Sequence, residues 1–207
     1  MKTDQLIDYI TELQSLAQAG LHYGRDRFDL ERYQRIREIA TEMMAAKTDL
    51  PLDQVHDLFA SGDGYQTPKV DTRAAIIKDG QILLVQEANE LWSLPGGWCD
   101  FNLSPVDNTV KEAREESGRD IEVTRVVAIH DRNHHNPGPT PYPFNIVKIF
   151  YLCRDLGGQF QPNSETLQAR YFAPDQLPEL DTRKNTYDQV QLCFQAATSE
   201  CWETRYE

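Results

Sequence analysis

The sequence predicts a mixed α/β domain preceded by a small all-α domain. Three observations carry this. Apolar residues recur every three or four positions through the first part of the chain, a hairpin pattern opens at Val70, and strand patterns interspersed with helical ones continue to the C terminus. The expected boundaries are residues 1–64 for the helical domain and 68–207 for the second, with a linker near Gly62–Pro68.

In the first helix Leu6, Ile10, Leu13 and Ala17, at spacings of four, three and four, share one face. A second helix takes Asp29 as N-cap and carries Tyr33, Ile36, Ala40 and Met43 as its apolar stripe, with Arg32, Arg35, Glu38 and Glu42 on the rest of its surface. Pro51 suits the first turn of a short third helix bearing Val55, Leu58 and Phe59, which Ser61-Gly62-Asp63-Gly64 closes. These stripes exceed what three short helices can bury, so a homodimer packed through the N-terminal helices is expected. Beyond the linker, Arg73-Ala74-Ala75-Ile76-Ile77 and Gln81-Ile82-Leu83-Leu84-Val85 flank Lys78-Asp79-Gly80 as a hairpin. Further strands are expected at 121–129, 146–153 and 169–172, and a closing helix at 186–199.

Composition narrows the function. The chain has 207 residues, 40% of them hydrophobic, enough to bury a core. Thirty-three acidic against twenty-one basic residues give a net charge of -12, which repels a polyphosphate backbone and argues against a dedicated nucleic-acid binder. No apolar run approaches the ~20 residues of a membrane helix, and Met1-Lys2-Thr3-Asp4 does not start a signal peptide, so a cytoplasmic protein is expected. Cys99, Cys153, Cys193 and Cys201 form no CxxC pair and read as free thiols.

The chemistry concentrates between Leu94 and Gly118. Ser104 as N-cap, Pro105 at N1, Asp107 at N3 and Gly118 past the C terminus bound a helix over about 105–117. On it Glu112, Glu115 and Glu116 stand at i, i+3 and i+4, one face of three like charges, costing a few tenths of a kcal/mol per pair. A hard divalent cation bound by carboxylates would offset that cost. Lys111 and Arg114 offer the bland alternative of a solvated helix with local ion pairs, and the helix alone favours it. The preceding Gly96-Gly97, which permits close backbone approach to a ligand, reverses the preference.

Gly97, Glu112, Glu115, Glu116 and Gly118, approached by Trp92-Ser93-Leu94-Pro95-Gly96, resemble the box of the Nudix hydrolase family. The family pattern is Gly, five residues, Glu, seven residues, then Arg-Glu, an aliphatic, any residue, Glu-Glu, any residue, Gly and an aliphatic. Here Leu103 stands at the first Glu, Lys111 at the Arg and Arg119 at the last aliphatic. Leu103 and Lys111 read as a paired rewiring, since losing both Glu and Arg strands no partner. The run from Gly97 to Pro105 is similar to that of a bacterial subgroup with an N-terminal helical domain, whose members act on CDP-choline, ADP-ribose or UDP-linked compounds.

The resemblance implies an α/β/α sandwich around a mixed sheet, and Mg²⁺, with Mn²⁺ as substitute, held by Glu112, Glu115, Glu116 and the Gly96 carbonyl. It implies hydrolysis of the pyrophosphate bond of a small nucleoside diphosphate derivative, with Glu115, Glu116, Glu165 and Lys111 as catalytic candidates. Glu165 corresponds to a late base or metal ligand of the family, with a plain loop charge as the alternative. Arg132, Asn133, His134 and the neighbouring His135 suit phosphate or base contacts, since no second ligand cluster accompanies them as a transition-metal site would need. Trp98, Phe101 and Tyr142 offer stacking surfaces, with ordinary packing as the alternative. Two rivals remain open: a non-catalytic nucleotide sensor, which the intact carboxylates oppose, and an RNA 5′-end pyrophosphohydrolase, which the net charge opposes.

Overall fold

The computed structural model describes residues 3–48, 50–136 and 145–206. Tyr142 lies outside them. The chain divides into two compact units; of the described residues, those up to Pro68 together with Asn145 belong to the first, and those from Lys69 to Asn136 and from Ile146 onward to the second.

The first unit contains α1 (Thr3–Tyr23), α2 (Arg27–Thr48) and α3 (Leu52–Val55), which runs into a π-helical turn at His56–Ala60. Ile7, Ile10, Ala40, Met44, Val55, Phe59 and Ala60 form its core. The stripe on α1 differs from the expected one. Ile7, Ile10, Gln14 and Ala17 are buried, while Leu13 is exposed. Inside, the donor end of Gln14 is satisfied, its Nε2 donating to Gln18 Oε1 at 3.2 Å, while Gln18 donates to the Gly64 carbonyl at 2.9 Å. The cap of α2 is Asp26, not Asp29: its carboxylate accepts from Phe28 N at 3.0 Å and Asp29 N at 3.2 Å. On the third segment Val55 and Phe59 are buried but Leu58 is exposed.

The second unit is built from β1 (Lys69–Lys78), β2 (Gln81–Glu87), β3 (Trp92–Ser93), α4 (Pro105–Ser117), β4 (Arg119–Asp131), α5 (Arg132–His135), β5 (Ile146–Gly158), β6 (Thr166–Phe172), α6 (Tyr187–Thr198) and β7 (Arg205–Tyr206). The mixed sheet runs β3-β2-β1-β5-β4-β7, with β6 on β2. Alternation along β1 separates its faces. Ala74 and Ile76 pack with Ala113 of α4, whereas Ala75 packs with Phe150, Val190 and Phe194 on the α6 side. Helices on both faces of one sheet make the expected α/β/α sandwich. Strands β4 and β5 extend past their apolar stretches because pairing continues through polar ends, with Arg119 opposite Gly158 and Glu122 opposite Arg154.

One feature of the sheet positions the site. The β1–β2 hairpin turns through Asp79 and Gly80, both at positive φ, yet the strands pair only at Ile77↔Ile82 and Lys78↔Gln81 before β2 diverges to β3 and β6. Along the freed edge of β1 lies the segment after β3, with Ala74 N donating to the Pro95 carbonyl at 2.8 Å and Thr72 N to the Gly97 carbonyl at 2.9 Å. Parallel pairing with β5 holds the other edge.

Candidate active site

Helix α4 has the ends its sequence requires. Ser104 Oγ accepts from Asp107 N at 3.1 Å, Pro105 opens the first turn, and Gly118 closes the helix at φ 64°. Asn108, fully buried, fixes its placement: its Nδ2 donates to Thr72 Oγ1 on β1 at 3.0 Å and its Oδ1 accepts from Asp100 N at 3.0 Å. The helix is thereby tied to both the sheet and the glycine loop.

The loop approaches the helix through its backbone. Gly96 sits at φ 142°, and a Cβ there would meet the Thr72 carbonyl oxygen at 2.0 Å. Its N–H donates to Glu116 Oε2 at 2.7 Å. At Gly97 a Cβ would stand 2.8 Å from Glu112 Oε2, so the glycine leaves the space this carboxylate uses. Just upstream, Leu94 N donates to the buried Asn185 Oδ1 at 2.8 Å.

Burial dominates the electrostatics. Glu116 is 7% exposed, and desolvation pushes its carboxyl up to about 7, against the stabilising influence of Arg73, the Gly96 N–H and Lys184. Glu112 is raised in the same way, with Lys111 opposing. Lys111 Nζ lies 3.1 Å from Glu112 Oε1, 3.1 Å from Glu115 Oε2 and 3.2 Å from Asp100 Oδ2, contacts that raise its own pKa. With leucine at position 103, Lys111 has a carboxylate partner on the loop in Asp100. Behind the loop, buried Asp71 accepts from Arg73 Nε and Nη2 at 2.8 and 2.6 Å and from Lys148 Nζ at 3.0 Å. Burial drives the Asp71 carboxyl upward, and the two cations overcome this to hold it low; burial brings the Lys148 ammonium down to about 8. Arg73 Nη1 also donates to the Leu94 carbonyl at 3.2 Å, tethering the loop a second time.

Thus Gly96, Glu112, Glu115, Glu116 and Lys111 are gathered on one helix and loop. Glu165 is exposed, on a loop that Asn163 fastens to α4: Asn163 Nδ2 donates to the Glu115 carbonyl at 2.9 Å while its Oδ1 accepts from Glu165 N at 2.9 Å. Arg132, Asn133 and His134 lie on α5 at the end of β4. Arg132 is buried, its charge bearing on Lys148, while His134 lines a cavity of about 670 Å³ with Thr186, Asp188 and Gln191 on the α6 side. His135 stacks on His130 with centroids 3.7 Å apart. Trp98 is half exposed beneath Lys69 Nζ at 5.6 Å, and Phe101 is entirely exposed. Sequence reasoning missed Asp71, Arg73, Asp100, Asn108, Asn163 and Asn185. Asp71 and Arg73 were detectable as charges in an apolar strand; the others become partners only through the fold.

Among the described residues no three His, Cys, Asp or Glu side chains form a ready-made cation cage. Glu112 and Glu115 are drawn to Lys111, and Glu116 to the Gly96 N–H. The donor chemistry nevertheless fits a hard cation: all the donors are oxygens, one carboxylate is desolvated with a raised pKa, and Gly97 leaves another its space.

Residues 4–59 match the family model described as UDP-X-like, N-terminal oligomerisation domain, and residues 68–193 match that of the NUDIX domain. The chain is 42% identical over 183 residues to the Bacillus subtilis (strain 168) protein YjhB, whose name assigns it provisionally to the ADP-ribose pyrophosphatases; 88% of this chain and 87% of that protein are covered. The crystal structure of an ADP-ribose pyrophosphatase from Streptococcus suis 89-1591 is 55% identical, covering 68% of this chain and 100% of its own at a TM-score of 0.63. The crystal structure of a UDP-X diphosphatase is 33% identical, with 100% of both chains covered and a TM-score of 0.63. Family models over both parts of the chain, and relatives this similar along most of its length, decide what a carboxylate helix beside a glycine loop leaves open: the chain belongs to the Nudix hydrolases and is a pyrophosphohydrolase.

Proposed function

We propose that the chain hydrolyses, with Mg²⁺ or its substitute Mn²⁺, the pyrophosphate bond of a nucleoside diphosphate linked to X, of the ADP-ribose, UDP-X or CDP-choline class. The products are a nucleoside monophosphate and phosphorylated X. The observation that carries this reading is the carboxylate face of α4 set against a loop that Gly97 keeps open beside Glu112. ADP-ribose ranks first because two of the relatives bear that name.

Glu112, Glu115, Glu116 and the Gly96 carbonyl are the groups assigned to the cation. When bound, it supplies positive charge to the pyrophosphate oxygens and acidifies water. The residues do the positioning. Asn108 and Arg73 hold the loop and helix in register, and Lys111 restrains Glu112 and Glu115. Glu165, on the loop fastened to Glu115 through Asn163, accepts the proton of the attacking water; a P–O bond to that water forms as the bridging P–O bond breaks. Asn133, backed by buried Arg132 at 3.4 Å, is assigned to substrate contact, and Trp98 and Phe101 present rings for stacking; His134, the remaining candidate, lines the α6-side cavity, which none of Glu112, Glu115 or Glu116 lines.

The domain limits proposed are 1–64 and 68–207. The first is assigned to homodimer formation: Tyr9, Leu13, Leu16 and Tyr23 stand exposed along α1, and the matching family model describes an oligomerisation domain. Cytoplasmic action is supported by the four cysteines being free thiols, and no described helix is long and apolar enough to cross a membrane.

The test is release of nucleoside monophosphate from ADP-ribose, UDP-sugars, CDP-choline and capped RNA with Mg²⁺, beside Glu116→Gln. Turnover of one small substrate, lost in the variant, is expected. Turnover of capped RNA alone, or equal turnover by Glu116→Gln, would overturn the reading.

A further inference from the structure

The family pattern places a glutamate at position 103, where this chain has leucine, and the departure leaves Lys111 in need of an explanation. Its ammonium contacts three carboxylates within 3.2 Å: Glu112 and Glu115, both assigned to the cation, and Asp100, which is not. Asp100 is not a casual surface acid. Its N–H donates to Asn108 Oδ1, its carbonyl accepts from Leu103 N at 3.1 Å, and Cys99 N beside it donates to the Val70 carbonyl at 2.8 Å. The loop is thus held to both α4 and β1 at the residue whose carboxylate reaches Lys111.

We propose that Asp100 is a positioning residue for the metal carboxylates, acting through Lys111 and standing on the loop as partner to residue 111 where the family pattern offers an acid at position 103. Lys111, left with Glu112 and Glu115 alone, would place its full charge on two of the three groups the cation needs. With Asp100 on its other side, the ammonium is drawn toward the loop and the attraction is shared three ways. The same contact couples the helix to the segment carrying Gly96, Gly97 and Trp98, so ligand geometry and loop position are set together. Leu103 fits this arrangement, since a second acid there would duplicate the charge.

This rests on the cation reading above, and the test separates the two. Mn²⁺ binding to the full-length protein without substrate is followed by the loss of the free-ion EPR signal, for wild type, Glu116→Gln, Asp100→Asn, Asp100→Glu, the double variant Asp100→Ala with Leu103→Glu, and Asp120→Asn. The last removes an equal charge paired with Arg114, outside the Lys111 cluster. Asp100→Asn is expected to weaken Mn²⁺ binding about three- to tenfold, at or below the lower end of the 10–100-fold typical of groups that orient metal ligands, because Asp100 and Lys111 side chains are 48% and 36% exposed. Asp100→Glu and the double variant should recover most of that loss and Asp120→Asn should show none. Kinetically, the Mg²⁺ concentration for half-maximal rate rises in Asp100→Asn and returns in Asp100→Glu. Binding by Asp100→Asn within twofold of wild type, or an equal loss in Asp120→Asn, overturns the proposal while leaving the cation site standing. A wild type that binds no Mn²⁺, or a Glu116→Gln variant that binds as well, overturns both.

Discussion

Adjacent glycines at 96 and 97 should respond to alanine in opposite ways. A Cβ on Gly96 falls 2.0 Å from the Thr72 carbonyl oxygen and 3.0 Å from the Arg73 Cα, at φ 142°. Neither obstacle is flexible, and strain of this kind together with the lost approach should cost at least about 3 kcal/mol. In a domain of this size that lowers the melting temperature by roughly 6–12 °C. A Cβ on Gly97 meets only the end of Glu112, with Oε2 at 2.8 Å and Cδ at 3.4 Å, and φ there is not in the left-handed region. The side chain can swing aside, so stability should change by less than about 1 kcal/mol. The carboxylate, however, must leave the place where it faces the loop. Displacing a reacting geometry by a substantial part of an ångström costs about tenfold or more in rate. Differential scanning fluorimetry and kcat/KM for ADP-ribose measure both effects. Gly97→Ala with wild-type kcat/KM, or Gly96→Ala with a wild-type melting temperature, would refute the placement of the loop against α4.

Glu116 makes metal-free stability depend on pH. Its carboxyl, raised to about 7 by burial, favours the protonated form when folded, so the stabilisation is present in full below about pH 4.5 and lost as pH rises through 7, on the order of 3 kcal/mol in all. Urea unfolding in EDTA at pH 5 and pH 8 should show this loss, Glu116→Gln should flatten it, and Mg²⁺ should offset it at pH 8. Asp71→Asn leaves Arg73 and Lys148 buried without their carboxylate and should cost about 3–5 kcal/mol, read as a lower urea midpoint. Asn185→Ala strands the Leu94 N–H and should cost about 1–3 kcal/mol, with kcat/KM falling as the loop loosens. Leu16→Lys on α1 should halve the mass seen by light scattering at micromolar concentration while leaving the second unit's melting transition in place.

Where local chemistry decides structure, the sequence could be read directly. Ser104, Pro105 and Gly118 bound α4 by hydrogen bonds and φ preferences within the segment itself, and the 3.6-residue period then places Glu112, Glu115 and Glu116 on one face. The hairpin at Asp79-Gly80 was legible for the same reason. Periodicity was weaker where polar residues find internal partners: Gln14 takes the inside position that Leu13 was expected to hold on α1, with its Nε2 donating to Gln18. Asp26 displaced Asp29 as cap because only the folded chain shows which carboxylate reaches free N–H groups.

By itself, then, the sequence determined the carboxylate face, the glycine loop beside it and the mixed α/β class, since each follows from neighbours within a few residues. Only the tertiary structure decided that β2 leaves β1 after two pairs so that Pro95 and Gly97 can take its edge, that Asp71 binds both Arg73 and Lys148, and that Lys111 finds Asp100. Apart from the Asp71–Arg73 pair, two residues apart on one strand, those contacts join different elements of the fold. Their partners are chosen by the register of strands and the seating of a helix on a sheet, which no local pattern encodes.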